Sequence, residues 1–358
     1  MWISSVGCAL PPHHYGQDTL IAAFKEYWGT RHHNTDRVDQ LHRAVLVGGR
    51  NLALPLEAYT QLEDFGAAND AYIQVAVQTG GEAIMHALQA SGLEPADVDA
   101  LYFTSVTGVA APSIDARLVN HLGLRSDVAR VPMFGLGCVA GAAGVSRLSD
   151  YLQAWPDRVA VLLSVELCSL TLQRKDLSVP NLIASGLFGD GAAAVVGVGE
   201  TRARQMGLPD TPTRGPRVRA SRSCFYPDSE DVMGWRIGSD GFQVVLSAQV
   251  PLVVKEHIRE DVDGFLDSQD LTLDDIDCWV CHPGGPKVLQ AFEAALDLDE
   301  QALSVTWNSL RTVGNMSSSS VLFVLRDTMY DHRPPPGSLG LMLAMGPGFC
   351  SELVLLEW

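Results

Sequence analysis

Two stretches of similar design decide the fold: VPMFGLGCVAGAAG at residues 131–144 and TVGNMSSSSVLFVL at residues 312–325. Each begins with residues that suit the end of a strand, passes through a glycine turn, and continues with small or apolar residues. Small side chains let a helix pack closely against its neighbours. Each stretch therefore predicts a strand end, a tight turn and a buried helix.

The order of predicted elements repeats along the chain. A helix ending near Gly92 precedes a buried strand at residues 100–106, and a helix ending near Gln269 precedes a strand at residues 278–283. Continuous apolar runs bounded by turn signals are typical of central parallel strands. Two more strands close each half. These parallels indicate an α/β protein made of two halves related by internal duplication.

The boundaries of the halves follow from composition. We predict an N-terminal half at residues 1–200 and a C-terminal half at residues 223–358. Residues 201–222, which are rich in Arg and Pro, are predicted to form a surface connection between them. The first sixty residues predict an irregular, polar arm with helical pieces.

Composition narrows the classes of function. The chain has 358 residues and a formal net charge of −17, which argues against binding nucleic acid or an anionic membrane surface. Its seven cysteines follow no repeating framework, which favours reduced thiols in a cytoplasmic protein. The N-terminus does not resemble a signal peptide, and no apolar stretch is long and clean enough to span a bilayer.

Cys138 is the candidate nucleophile. It follows Gly137 at a predicted strand-to-helix turn, where the free N–H groups and the dipole of a helix N-terminus favour a thiolate. A thiolate attacks a thioester more readily than a thiol does. The alternative is that Cys138 is a small buried hydrophobe, which is the usual fate of a free cysteine.

His282 and Asn315 are candidates to assist Cys138. His282 lies between a buried strand and the sequence PGGP, so it is predicted at a strand end, where it can pair with a thiolate or donate to a carbonyl. Asn315 lies in GNMS, where its amide can stabilise an oxyanion without titrating. A buried structural histidine and a turn-forming asparagine are the alternatives. A duplicated fold would bring such turns from both halves to one centre.

Seven motifs along the chain carry further information: FGLGCVAGAAG, ELCSLTLQ, SGLFGDGAAAVV, FYPDSEDVMGW, CHPGGPKVL, GNMSSSSVLFVL and GPGFCSELVLLEW. Together they resemble the type III polyketide synthases, the chalcone-synthase-like members of the thiolase superfamily. The resemblance runs from about residue 70 to the C-terminus, and HPGGP together with GNMSS is its most specific part.

The resemblance implies a fold and a chemistry. The fold is the thiolase fold, a duplicated αβαβα five-layer sandwich, and the assembly is a homodimer. Cys138 would carry the starter and the growing polyketide as a thioester. His282 and Asn315 would hold the carbonyl of malonyl-CoA while CO2 leaves, and His282 would keep Cys138 ionised. Decarboxylation supplies the carbanion, so neither a metal nor a redox cofactor is expected.

The resemblance also implies substrate-binding and gating positions. Phe188 matches an aromatic gate, and Ser317 adjoins the active-site asparagine. At three further positions the sequence departs from plant members: Val244 replaces a second gating Phe, Trp235 replaces a small residue, and Ala111 replaces a Met that crosses the dimer interface. ELCSLTLQ and PDSEDVMGW resemble bacterial members that use fatty acyl starters and make alkylpyrones or alkylresorcinols.

The sequence gives fewer signs of how the protein binds the CoA part of its substrate. The N-terminal lysines that bind the phosphates of CoA in the family are mostly missing here. Arg37, Arg43 and Arg50 are candidate substitutes. A starter delivered by an acyl carrier protein is therefore an alternative to an acyl-CoA.

Rival interpretations come from the cysteines and from neighbouring families. Cys278, Cys281 and His282 match a C-x-x-C-H haem-attachment pattern, but the segment is predicted to be a buried strand. Alternation along that strand also disfavours a thioredoxin-type pair, and no further ligands suggest zinc. An initiating β-ketoacyl synthase uses the same Cys, His and Asn but a different motif around the His. A biosynthetic thiolase would need a second cysteine, for which Cys350 is the candidate. A catalytically dead scaffold is the non-enzyme alternative.

Overall fold

The structure, a computed structural model, describes residues 1–28, 36–208, 211, 215–299 and 301–358. Arg214, which belongs to the predicted connection, lies outside these residues. The strands in this part of the chain are β1 Trp2–Ala9, β2 His13–Gly16, β3 Gly49–Leu52, β4 Ala100–Thr104, β5 Ala129–Met133, β6 Val159–Leu167, β7 Asp190–Val198, β8 Arg217–Phe225, β9 Met233–Gly238, β10 Gly241–Leu246, β11 Cys278–Cys281, β12 Leu339–Gly346 and β13 Cys350–Glu357.

The α-helices pack against these strands in three layers. None of the described helices has the length and apolar character needed to cross a membrane. The helices are α1 Gln17–Trp28, α2 Asp36–Ala44, α3 Phe65–Ser91, α4 Ile114–Leu122, α5 Ala140–Ala154, α6 Val179–Leu187, α7 Glu200–Gln205, α8 Val250–Asp267, α9 Pro286–Leu296, α10 Ser304–Val313 and α11 Ser320–Tyr330.

The strand order shows the duplication directly. Within the described residues the main sheet runs β11-β12-β13-β8-β1-β7-β6-β4-β5. In one half β4 is parallel to β6, while β6–β7 and β7–β1 are antiparallel. In the other half β11 is parallel to β12, while β12–β13 and β13–β8 are antiparallel. The halves meet where Trp2 of β1 pairs with Arg217 of β8. The predicted duplicated α/β fold is confirmed.

Three predicted details differ from the structure. The stretch at residues 312–325 does not begin with a strand end, because helix α10 continues to Val313 and the chain turns at Gly314. The first residues are not an irregular arm, because β1 is a buried strand between β7 and β8. The periodicity of WISSVGCA gave little sign of this, since both faces of the strand are covered and polar Ser5 is also buried. Within the predicted connection, the chain forms α7 and already enters the sheet with β8 at Arg217, before the predicted boundary at residue 223.

The hydrophobic core consists of three layers: one lies between the two halves of the sheet, and one covers the outer face of each half. The central layer joins α5 and α11 with inward-facing residues of strands from both halves, such as Leu162 of β6 and Met342 of β12. One outer layer packs α3 and α4 on the first half, and the other packs α8, α9 and α10 on the second half. Helices and sheet therefore alternate in the order that a five-layer sandwich requires.

The two central helices approach each other at backbone distance. A Cβ added to Gly141 of α5 would lie 2.3 Å from the carbonyl oxygen of Ser318, just before α11, and 2.6 Å from Cγ1 of Val321. No real side chain tolerates such a contact, so glycine is required at this crossing. The small residues in the stretch after Cys138 thus serve the packing that the sequence indicated.

This crossing gives a test by matched glycine substitutions. Gly141→Ala should lower the free energy of unfolding by about 1–3 kcal/mol, the usual cost of overpacking a filled core. Gly264→Ala in α8 is the control, since its Cβ would make only an ordinary 3.4 Å contact with Arg222. It should be neutral or stabilise by up to about 1 kcal/mol, because alanine is the better helix former. Urea unfolding of both variants decides; equal effects would contradict the packing account.

Candidate active site

Cys138 lies in a one-turn 3-10 helix, Gly137–Val139, that leads directly into α5. Gly137 has φ +57°, and a Cβ there would come within 2.6 Å of the Pro347 ring. Only glycine fits this turn, and the turn buries the cysteine side chain. The thiol of Cys138 donates a hydrogen bond to Oγ of Ser317, with 3.5 Å between sulfur and oxygen.

Burial controls the ionisation of Cys138. It raises the pKa of the thiol to about 12, while the hydrogen bond with Ser317 acts in the opposite direction and the nearby Glu166 carboxyl adds to the rise. The helix N-terminus favours the thiolate. The resting thiol is therefore neutral, and it needs a base to become a nucleophile.

His282 directly follows β11, as the sequence predicts. Its backbone N–H donates to the carbonyl of Leu343 in the neighbouring strand, over 2.8 Å. The side chain is buried, and neither ring nitrogen has a hydrogen-bond partner among the described residues. Burial lowers the pKa of His282 to about 3, so the imidazole is neutral, with one nitrogen able to donate and the other able to accept.

Asn315 is held by both its backbone and its side chain. Its backbone N–H donates to Leu187 over 3.0 Å, and its carbonyl accepts from Gly189 over 2.9 Å. In the side chain, Oδ1 accepts from the N–H of Ser317 at 2.8 Å, and Nδ2 donates to the carbonyl of Gly284 at 3.1 Å. This pattern fixes the orientation of the amide and leaves its second N–H for another acceptor.

A series of hydrogen bonds links the three predicted residues. Cys138 contacts Ser317, Ser317 contacts Asn315, and Asn315 contacts Gly284. Gly284 in turn donates to the backbone carbonyl of His282 over 2.9 Å. The structure therefore connects a buried thiol and an oriented amide to the segment that carries a neutral imidazole, with both halves contributing. Such a set can accept an acyl group and stabilise charge on a carbonyl oxygen.

An outer cavity of about 740 Å³ adjoins this site. Phe188, Trp235 and Val244 line it, together with other mostly apolar residues. Phe188 also forms a backbone bridge with Asn315, which connects this wall of the cavity to the segment that carries the amide. Val244 and Trp235 face each other across the β9–β10 hairpin, and the Trp235 ring lies 6.3 Å from the Phe188 ring.

A second cavity of about 410 Å³ shares one wall with the first. Trp235 lines both cavities. The second cavity is also lined by Val106, Phe134 and Pro347, and Pro347 contacts the turn that carries Cys138. Trp235 is therefore the partition between the two spaces.

Other predicted positions lie elsewhere. Ala111 is exposed on the surface and does not border either cavity. Arg37 is exposed, and Arg43 is paired with Asp18 and Asp39 on the surface. Arg50 is 1% exposed, and its two Nη groups bond to protein groups, but it also lines the outer cavity. Its predicted role in binding CoA phosphates stays a prediction.

The rival cysteines lie in ordinary structural settings. Cys281 is fully buried in β11, with Cys278 half-buried beside it. Cys350 starts β13, and its thiol donates to the carbonyl of Pro347 over 3.4 Å. Across the described ranges, no group of three or more His, Cys, Asp or Glu residues could hold a metal ion.

The sequence interpretation missed a buried carboxyl beside the site. Glu166 accepts hydrogen bonds from the backbone N–H of Val106 at 3.1 Å, from the hydroxyl of Thr107 at 3.0 Å and from the hydroxyl of Ser318. Ser318 adjoins Ser317, so Glu166 lies next to the turn that carries Asn315. A signal was available: Glu166 is the single charged residue in the apolar strand VAVLLSVEL.

Glu166 makes stability depend on pH. Burial raises its pKa from 4.5 to about 7 in the folded protein. The folded state therefore holds the proton more tightly, so the stabilisation is complete below pH 4.5 and is lost as pH rises through about 7. We expect the unfolding free energy of the wild type to fall by up to about 3 kcal/mol relative to Glu166→Gln over this window. Parallel stability curves for the two proteins would contradict the buried-acid assignment.

Comparisons with known proteins agree with this geometry. The family models for the N-terminal and C-terminal domains of chalcone and stilbene synthases match residues 3–200 and 217–357. The chain is 52% identical over 356 residues to a 1,3,6,8-tetrahydroxynaphthalene synthase of Streptomyces peucetius subsp. caesius, covering 99% of this chain and 93% of the relative. It is 33% identical to a putative chalcone synthase of Bacillus subtilis, covering 100% and 98% of the two chains.

A solved structure extends the likeness to three dimensions. The crystal structure of 1,3,6,8-tetrahydroxynaphthalene synthase from Streptomyces coelicolor, a bacterial type III polyketide synthase, superposes with a TM-score of 0.92 at 27% identity. The match covers 100% of this chain and 99% of that one. The predicted thiolase fold is thereby confirmed. The chain belongs to the chalcone and stilbene synthase family and is a type III polyketide synthase, an acyltransferase that condenses malonyl-CoA.

Proposed function

We propose that Cys138 carries the growing polyketide and that His282 and Asn315 drive each decarboxylative condensation. The observation that carries this proposal is the unbroken series of contacts from the thiol through Ser317 and Asn315 to the strand end at His282. A catalytically dead scaffold would have no need to keep a buried thiol, an unpartnered imidazole and an oriented amide together.

Loading begins with proton transfer from Cys138 to His282. Both groups are neutral at rest, and the ion pair that forms is stabilised by mutual attraction inside the buried site. The thiolate attacks the carbonyl of an acyl thioester, and the carbon–sulfur bond to CoA breaks. The departing CoA thiolate takes the proton from the imidazolium, which restores the neutral His282.

Condensation uses the same groups as hydrogen-bond donors. The free N–H of the Asn315 amide and an N–H of His282 hold the thioester carbonyl of malonyl-CoA. The carboxylate leaves as CO2, and its bonding electrons form an enolate whose oxygen these donors stabilise. The enolate carbon then attacks the acyl carbonyl on Cys138, the bond from that carbonyl to sulfur breaks, and the extended chain is left on CoA while the thiolate is released. Attack of this thiolate on the new thioester returns the chain to Cys138 and releases CoA for the next cycle. The reaction calls for neither a metal nor a redox cofactor, because the electron pair of the broken carbon–carbon bond stays on the enolate.

The residues that line the cavities limit which starter unit can bind. We infer that ring closure gives a polyhydroxylated aromatic product, which is the kind of product that the names of the Streptomyces relatives state for those proteins. We infer further that malonyl-CoA supplies both the starter and the extender units. Trp235 supports this, since it divides the space beside Phe188 and restores the aromatic wall that Val244 lacks. A bulky starter would have to displace the indole.

A fatty acyl starter, with an alkylpyrone or alkylresorcinol product, is the second candidate. The apolar lining of the 740 Å³ outer cavity favours it, because such a lining suits an alkyl chain. A single condensation on a carrier protein, as in an initiating β-ketoacyl synthase, is the remaining rival, and carrier-bound starters belong in the test for that reason.

We propose that the active assembly is a homodimer. β5 is an edge strand of the main sheet and most of its residues are exposed. Phe134, which follows β5 and lines the second cavity, is 55% exposed. An exposed apolar ring beside an unpaired strand edge suits contact with a second copy. The gating role predicted for Ala111 would then be exerted across this interface.

The decisive assay offers malonyl-CoA alone or together with acyl-CoA and carrier-bound starters, followed by mass spectrometry of the products. We expect an aromatic polyketide from malonyl-CoA alone. Trp235→Ala should open the partition and shift product formation toward longer acyl starters by about tenfold, the scale of a few methylenes of pocket space.

Trp155→Ala is the matched control, because Trp155 is a surface residue, 47% exposed, that stacks with Arg158. It should leave starter preference unchanged. If the wild type forms products only with long-chain starters, the fatty acyl starter becomes the favoured candidate and malonyl-CoA the second. No product from any starter would overturn the enzyme proposal.

A further inference from the structure

Arg50 is a buried cation beside the active site. It lies in β3 and is 1% exposed. Its Nη1 donates to Oε1 of Gln17 at 2.5 Å and to the carbonyl of Gly186 at 2.7 Å, and its Nη2 donates to the carbonyl of Ser185. Within the described residues, no carboxylate forms an ion pair with it. Burying a charge costs free energy, so other groups must stabilise this guanidinium.

The backbone at the end of α6 stabilises this charge. Ser185 and Gly186 belong to the last turn of α6, whose carbonyls have no partners within the helix and carry the negative end of its dipole. A planar guanidinium can bond two such carbonyls at once, which a lysine ammonium cannot do with the same geometry. Arg50 therefore fixes the position of the α6 C-terminus.

That terminus leads directly to the two groups that face the substrate. The residues that follow are Leu187, Phe188 and Gly189. The carbonyl of Leu187 accepts from the backbone N–H of Asn315, and the N–H of Gly189 donates to the Asn315 carbonyl. A shift in the end of α6 would therefore move both the aromatic gate and the Asn315 amide.

The stem of Arg50 also fills the space between the two turns. A Cβ added to Gly189 would lie 3.2 Å from Cβ of Arg50, and a Cβ added to Gly314 would lie 3.7 Å from its Cδ. Gln17 braces the same point, since its Nε2 donates to the carbonyls of Gly186 and His42 at 3.0 and 2.9 Å. Packing and hydrogen bonds thus act on the same loop.

We propose that Arg50 is a positioning residue for decarboxylation: its guanidinium holds the end of α6, and through it the Asn315 amide and the Phe188 ring, in register with the malonyl thioester. The inference rests on the function proposed above for Asn315. This role lies inside the protein and is separate from the predicted role of Arg50 in binding CoA phosphates.

The test separates decarboxylation from loading. Purified full-length chain is assayed for conversion of malonyl-CoA to acetyl-CoA and, separately, for acyl transfer from acetyl-CoA to the enzyme by intact mass. The variants are Arg50→Lys, Arg50→Met and Gln17→Met, with Asn315→Ala as the reference for a lost amide. Arg259→Met, a surface arginine paired with Asp263 and Asp297, is the control. Thermal unfolding identifies any variant that fails to fold.

We expect Arg50→Met to lower kcat for decarboxylation by about 10²-fold, the scale of a misplacement of roughly 1 Å, while KM and loading stay near wild type. Arg50→Lys and Gln17→Met should show the same selective loss, by about tenfold. If Arg50→Met does not fold, these two folded variants decide. Parallel loss of loading and decarboxylation, or no loss of either, overturns the proposal. A wild type that does not decarboxylate malonyl-CoA refutes the proposed function instead.

Discussion

The close crossing of α5 and α11 holds the active site together. At Gly141 and Ser318 the two helix starts approach so closely that no side chain fits between them. Because α5 begins just after the turn of Cys138 and α11 just after the turn of Asn315, this crossing brings the two turns against each other. Neither half contains a complete site, and duplication alone would not create one without this contact. The small residues in both stretches are therefore a requirement of the chemistry as well as of the packing.

Burial is the second constraint, and it gives the site its neutral resting state. The same lack of water raises the pKa of Cys138 and lowers that of His282. In the mechanism proposed above, charges that appear during the reaction are stabilised by groups already in place, such as the amide of Asn315. Such an oriented donor costs no reorganisation when the enolate forms. The backbone hydrogen bonds between the turn after α6 and the turn before α11 hold this amide in place.

Much of this could be predicted from the sequence, for physical reasons. The glycine turns, the apolar strands and the polar residues at their ends are local signals, so the duplicated halves and the positions of Cys138, His282 and Asn315 could be predicted. Strand β1 could not, because its two covered faces leave no periodicity. The role of Arg50 also could not, since its partners are backbone carbonyls far away in the chain. Glu166 stood out in the sequence as the one charged residue of an apolar strand, but only the structure shows the buried hydrogen bonds that explain its presence there.

The central claim is that Cys138, at the junction of the halves, bears the acyl chain. The most direct measurement is peptide mapping by mass spectrometry after a brief incubation with an acyl-CoA. We expect the added mass on the peptide that contains Cys138, and its loss in Cys138→Ser. Acylation confined to another cysteine, such as Cys168 on the wall of the outer cavity, would contradict the account.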